Sequence, residues 1–223
     1  RQLAYAFASR GYDLILHANE SREGLMEAET AIRRDGCDVF SVTGDFRKMT
    51  DIHRICEEIS ARCDRLDVLV NNAGVFPEAT FDDVTEELWD LALDVNTKSP
   101  FFLTQGLAPL LRRANGCVVN IASAGGFSPW KRHLPYNVSK AAVIMLTRAM
   151  AKALAPDVRV NAVAPGVIIV PGEEELEHIP ATRFPMQRYG TANDLSDAVL
   201  FLVESSPYIT GHVLPVTGGG EAL

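Results

Sequence analysis

Cysteine is scarce in this 223-residue chain, and the four present, Cys37, Cys56, Cys63 and Cys117, form no C-x-x-C pair. That excludes a disulfide framework and a thiol-based zinc site, and points to reduced thiols in a cytoplasmic compartment. Histidine is equally sparse: His17, His53, His133, His178 and His212 are scattered, so no metal is expected. Positive charge is in deficit, with 21 Lys and Arg against 29 Asp and Glu and a net charge of −8. This argues against a nucleic-acid footprint and a polybasic membrane surface, and leaves a small molecule as the expected partner. No apolar run approaches the roughly 20 residues that a membrane span needs, and the start Arg1-Gln-Leu-Ala-Tyr-Ala-Phe lacks a secretory cleavage pattern. Internal repeats and low-complexity segments are also missing.

What the sequence does contain is an alternation of short β-like runs with helical patterns, the form of an α/β protein with a parallel sheet covered on both faces. Strands are expected over 13–18, 38–43, 67–71, 116–122, 158–163 and 212–216, and helices over 1–10, 22–34, 51–62 and 135–155. Gly36 is a stop for the second of these helices. Another helix begins at Thr85, with a break implied by Pro100 before a further helix through Leu111. Residues 167–190, with Pro171, Pro180 and Pro185, read as an irregular flap over a site. With 47% hydrophobic residues, residues 1–223 suffice for a single domain with a sizeable core.

The chemistry concentrates in Pro135-Tyr-Asn-Val-Ser-Lys-Ala-Ala-Val, preceded by Ser123 after the apolar run Cys117-Val-Val-Asn-Ile-Ala. On a helix, Tyr136 and Lys140 lie one turn apart on one face, so the ammonium can sit beside the phenol. At an effective dielectric of about 20 and a separation of about 5 Å, Coulomb's law gives roughly 3 kcal/mol, which would lower the phenol by about two pK units. The expectation is a tyrosine drawn towards general acid/base work.

Ser123 followed thirteen residues later by Tyr136 resembles the short-chain dehydrogenase/reductase family. So do Asn71-Asn-Ala-Gly74, Asn96 in Asp-Val-Asn-Thr, Arg159-Val-Asn-Ala-Val-Ala-Pro-Gly166 and the Thr217-Gly-Gly-Gly220 close, which occur in the family's order. The resemblance implies a Rossmann-like doubly wound parallel sheet. It also implies a first strand and a Thr-Gly-x-x-x-Gly-x-Gly phosphate loop immediately before Arg1, so the sequence is expected to be a fragment of a longer parent. In catalysis Ser123 would bind the substrate oxygen, Tyr136 would deliver or remove its proton, and Lys140 would depress the phenol and hold the nicotinamide ribose. Asn96 would hold a water in line with Lys140, or serve as a capping or core amide.

The same resemblance implies the cofactor contacts. Ala18 falls where an Asp would accept from the adenosine ribose of NAD, and Asn19 and Ser21 could donate to a 2′-phosphate. The expectation is therefore NADP(H) ahead of NAD(H), although Glu20 would oppose a phosphate and Ser21 is equally read as a helix N-cap. Asp45 and Phe46 would meet the adenine, with a plain turn as the alternative for Asp45. Asn72, Ala73 and Gly74 would allow close approach of cofactor and backbone, or form an ordinary turn. Pro165, Gly166 and Ile168 would face the nicotinamide, and Phe76 and Trp130 the substrate.

The implied function is an NAD(P)H-dependent oxidoreductase that reduces a C=O or C=N bond of a small substrate. Leu134-Pro-Tyr, the compact Leu154-Ala-Pro-Asp-Val-Arg-Val-Asn, and Val170 with Pro171 look like pteridine reductase-like members or another ketoreductase. The pteridine reductases can carry Asp where Ser123 stands, which leaves 3-oxoacyl carrier protein reductase as the alternative. A non-catalytic dinucleotide-binding redox sensor is the alternative of another class. Apolar helices around 85–112 and 135–155 imply a homodimer or homotetramer.

Overall fold

A computed structural model describes residues 1–169, 179–204 and 207–220. In chain order the elements are α1 (Gln2–Ala8), β1 (Leu14–Ala18), α2 (Arg22–Arg34), β2 (Val39–Thr43), α3 (Met49–Arg62), β3 (Val68–Asn71), α4 (Glu86–Leu93) and α5 (Ser99–Ala114). They continue as β4 (Cys117–Ile121), α6 (Leu134–Leu154), β5 (Arg159–Pro165), β6 (Ile168–Ile169), β7 (Gly190–Thr191), α7 (Ala192–Glu204) and β8 (Val213–Val216). The expected strands and helices are all present, with ends displaced by a residue or two. Helix α2 stops where Gly36 takes a φ of +85°, a left-handed conformation that glycine adopts without a Cβ clash. Ser21 stands at its N-cap position, but its side chain makes no capping bond.

Every ladder is parallel. The main sheet runs β3-β4-β5-β8, and β4 pairs with neighbours on both sides, Val119 lying between Val70 and Asn161. Residues 117–120 of β4 are all buried, which explains why that strand reads as a continuous apolar run rather than an alternation. Val118 and Val119 are fully covered, each worth about 2 kcal/mol of burial. One face of the core joins Val42, Ile52, Ile55, Leu107 and Leu110; the other joins Phe7, Val119, Val163, Val199 and Leu202. Helices therefore cover both faces, as a doubly wound sheet requires.

The described strands fall into separate parallel sheets. β1 and β2 pair only with each other among the described residues, and a cavity of about 1210 Å³ separates them from the main sheet. Its walls include Leu14 and Leu16 of β1, Val68 and Val70 of β3, Phe7 of α1 and Leu103 and Leu107 of α5.

Two expectations are corrected. Pro100 does not interrupt the chain between α4 and α5; it sits in the first turn of α5, where its missing N–H costs nothing, and a π-helical turn over Asp94–Lys98 joins the two helices. The 167–190 segment is not irregular throughout, because β6 and β7 pair at its two ends and Ala181–Arg183 form a 3-10 turn. Val170 and the Pro171–Gly–Glu–Glu–Glu stretch lie outside the described residues. No helix of the described residues is long and apolar enough to cross a membrane, and no cluster of metal-ligating side chains occurs among them.

Candidate active site

Ser123 lies two residues beyond β4 and is almost completely buried. Its backbone is extended, and its Oγ accepts a hydrogen bond from the Gly125 N–H at 3.0 Å, so the hydroxyl caps the 3-10 turn Ala124–Gly126. With one lone pair so engaged, the hydroxyl keeps its proton for another oxygen, and its presence near the Tyr136 phenol opposes part of the rise that burial imposes there.

Tyr136 and Lys140 are carried by α6, whose first turn contains Pro135. Lys140 is 5% exposed, and its Nζ donates to the Ile121 carbonyl at the end of β4 at 2.7 Å. The ammonium lies 5.7 Å from the Tyr136 ring centroid. Burial lowers Lys140 from its usual 10.5 to about 8. Burial also raises Tyr136 above its usual value of 10, against the smaller opposing effect of Ser123. The expected lowering of Tyr136 by Lys140 is thus corrected. The dielectric of a half-solvated pair was assumed, whereas both groups lose water here and the ammonium is held by a carbonyl.

Asn96 is brought beside α6 by the π-helical turn, and its side chain is a core amide, the alternative that the sequence reading held open. Its Oδ1 accepts from the Val75 N–H at 2.8 Å, and its Nδ2 donates to the Val75 carbonyl at 3.0 Å and to Ser139 Oγ at 2.9 Å. Those bonds tether the strand-to-helix connection after β3 to α6. Gly74 sits between Asn96 and Lys140: a Cβ there would lie 3.2 Å from Asn96 Oδ1 and 3.6 Å from Lys140 Nζ.

An aromatic wall stands over the phenol. Phe76 is stacked on His133 at 4.0 Å between ring centroids and meets Tyr136 edge-on at 4.5 Å. Trp130 lies nearly parallel to Tyr136 at 6.0 Å. His133 Nδ1 bonds to the Pro77 carbonyl, and the Ala79 N–H donates to the Arg132 carbonyl, so the wall is pinned on both sides of its gap. Phe127 is exposed.

Of the residues expected to hold a cofactor, Ala18, Ser21, Phe46, Asn72 and Ala73 line the cavity between the sheets. Asn19, Glu20, Gly74, Pro165, Gly166 and Ile168 do not. Pro165 ends β5, Gly166 donates its N–H to the Val216 carbonyl, and Ile168 opens β6. Asp45 accepts from the Arg47 backbone N–H at 3.0 Å, the turn geometry held as its alternative reading. Arg47 donates to both its oxygens at 2.6 to 2.9 Å, and this pairing depresses the carboxyl. Phe46 is stacked on His17 at 3.9 Å, and burial pushes the His17 imidazolium down. The tight fit of Gly74 against Asn96, and a Lys140 ammonium with two protons beyond the one given to Ile121, fit a ribose-nicotinamide group.

Sequence reasoning missed Arg47, Asn137 and Ser139. The last two are polar residues on an apolar helix within the Tyr-to-Lys segment, a signal that was available.

The family described as Enoyl-(Acyl carrier protein) reductase matches residues 1–221. The chain belongs to the short-chain dehydrogenase/reductase family. A Staphylococcus aureus 3-oxoacyl-[acyl-carrier-protein] reductase, FabG, is 31% identical over 226 residues, covering 98% of this chain and 92% of that protein. Acetoin dehydrogenase YohF from Salmonella typhimurium superposes with a TM-score of 0.89 at 27% identity, covering 99% of this chain and 90% of the other. ElxO, solved with NADP bound, gives a TM-score of 0.88 at 27% identity over 100% of this chain and 94% of its own. This membership makes the chain an oxidoreductase of the short-chain type with the nicotinamide-dependent chemistry of that family.

Proposed function

We propose that the protein is a ketoreductase that uses NADP(H) ahead of NAD(H) and acts on a compact carbonyl substrate. The observation that carries this reading is the Ser123, Tyr136 and Lys140 arrangement: a buried hydroxyl near the phenol, with a buried ammonium 5.7 Å from the ring centroid. A bound nicotinamide would supply hydride to the carbonyl carbon. Ser123 orients the substrate oxygen by donating to it, and Tyr136 gives that oxygen its proton, leaving an alcohol. Lys140 holds the ribose hydroxyls together with Tyr136 and offsets the phenolate charge while the phenol is deprotonated. Asn72, Ala73, Gly74, Pro165, Gly166 and Ile168 would flank the nicotinamide ribose side, and Ala18, Asn19, Glu20, Ser21, Asp45 and Phe46 the adenosine side.

The NADP(H) preference is supported by the neutral Ala18 at the end of β1, by the Arg47 cation beside Asp45, and by ElxO, which binds NADP. A pteridine-type planar substrate is a second reading, favoured by the parallel Trp130 face over Tyr136 and by Phe76 beside it. The 3-oxoacyl thioester of the S. aureus relative is the competing substrate. Four free thiols suit a reducing cytoplasm. Phe101, Val138 and Met145, apolar and exposed on α5 and α6, suit a homodimer or homotetramer built on those helices.

The test is consumption of NADPH with small diketones, a dihydropterin and a 3-oxoacyl thioester, by the native protein and Tyr136→Phe. Loss of all but a trace of turnover in the Phe variant, with native circular dichroism, is expected. Retained turnover would sink the acid/base assignment, and a clear preference for the thioester would replace the compact substrate.

A further inference from the structure

Asn137 follows the proposed acid in sequence, and the proposed chemistry does not use it. Its side chain is 7% exposed, and its Nδ2 donates to the Trp130 carbonyl at 2.9 Å. Its Oδ1 is buried with no hydrogen-bond partner among the described residues. Only the nitrogen can donate to a carbonyl, so the amide cannot be turned round to relieve the oxygen. Asparagine is also a poor helix former, and leaving an acceptor unpaired in the interior costs free energy. A buried amide held at that cost invites a positional explanation.

The oxygen is pressed against Gly125. A Cβ on Gly125 would lie 2.9 Å from Asn137 Oδ1, 3.4 Å from Trp130 Cε3 and 3.4 Å from Tyr136 Cε1. The same Gly125 donates its N–H to Ser123 Oγ. Gly125 is therefore bonded to the serine hydroxyl and leaves no room for a side chain between the amide, the aromatic wall and the phenol ring.

We propose that Asn137 is a positioning residue that clamps the Ser123–Trp130 loop onto α6, keeping the Ser123 hydroxyl aimed at the Tyr136 phenol. The clamp works because Tyr136 and Asn137 are adjacent on one rigid helix. Tying the loop to Asn137 sets its register against the phenol directly, with no intervening flexible link. The inference rests on the reading of Ser123 and Tyr136 given under the proposed function.

Asn137→Leu separates positioning from support. Leucine has the same branching and the same number of side-chain heavy atoms, and removes both the donor to Trp130 and the unpaired acceptor. The Trp130 carbonyl still accepts from the His133 N–H at 3.1 Å, so it is not orphaned. Thermal stability should hold or rise. The phenol is followed without substrate by ultraviolet absorbance, as the difference between each protein and its Tyr136→Phe counterpart. Its titration should move upward in Asn137→Leu, because the loop that carries Ser123 through Gly125 shifts away and the lowering effect of the Ser123 hydroxyl weakens. With a small diketone and NADPH, kcat should fall tenfold or more at similar KM. Gly125→Ala, which strikes Asn137 Oδ1 from the loop side, should move the titration in the same direction and serves if the Leu variant does not fold. An unmoved titration in the folded variants overturns the proposal, whether turnover is native or falls together with thermal stability. Retained turnover in Tyr136→Phe would sink the acid/base reading instead, while the titration still decides the role of Asn137.

Discussion

Replacing Lys140 by Met should stabilise the protein at neutral pH while removing its turnover. Burial lowers this lysine from 10.5 to about 8. That difference corresponds to about 3 kcal/mol of unfavourable free energy whenever the group is charged in the fold. Methionine preserves most of the stem and removes the charge. It also forfeits the charged hydrogen bond to the Ile121 carbonyl, a loss of about 1.5 to 2 kcal/mol. The net expectation is a gain of about 1 kcal/mol, or a rise in Tm of about 2 to 4 °C for a chain of this size. The pH dependence distinguishes this account from a general packing effect. Because the folded lysine has the depressed value, the unfolded chain binds more protons between pH 8 and 10.5, and the native protein gains stability as pH rises through that window. The Met variant lacks this contribution, so its advantage should be full below pH 8 and should shrink towards pH 10.5. Thermal unfolding by circular dichroism at several pH values between 7 and 10.5 measures the difference directly, and other titrating groups cancel in it. A Met variant that is less stable by the same amount at every pH would refute the claim that the buried ammonium is held at a cost.

Three further outcomes are expected. Gly74→Ala should cost about 1 to 2 kcal/mol in urea unfolding, because its Cβ would lie 3.2 Å from an Asn96 oxygen already fixed by Val75; an unchanged midpoint would show that Asn96 yields freely. Ala18→Asp should shift calorimetric affinity from NADPH towards NADH about tenfold or more, and an unchanged ratio would move selection to Glu20 or Arg47. Asp194, held by Arg188 and Thr191, lies well below the usual carboxylate range, so its stabilisation is complete above the ordinary carboxyl pKa and is lost as pH falls below it towards the depressed value. Asp194→Asn should therefore lower stability by about 1 kcal/mol at pH 7 and flatten the acid limb of the unfolding profile, and a parallel acid limb would be the contrary result.

Much of the molecule was legible because it depends on neighbours within a turn or along one strand. The run Cys117–Ile121 had to be a strand covered on both sides, Gly36 had to end α2, and the four-residue spacing of Tyr136 and Lys140 had to put them on one face of α6. The order of the family's landmarks carried the rest of the fold class. Only tertiary structure decided the electrostatics, because solvent exclusion and distant partners set their sign. Lys140 is held by Ile121, nineteen residues away, and burial raises the phenol that local Coulomb reasoning had lowered. Asp45 could be paired or open as far as its own segment was concerned; the conformation of the turn after β2 gave it to Arg47. Asn96 spends its amide on Val75 and Ser139, and Asn137 is wedged between Trp130 and Gly125, because loops from separate strand ends converge on α6. Sequence spacing set which residues could share a face, and packing set what each of them faced.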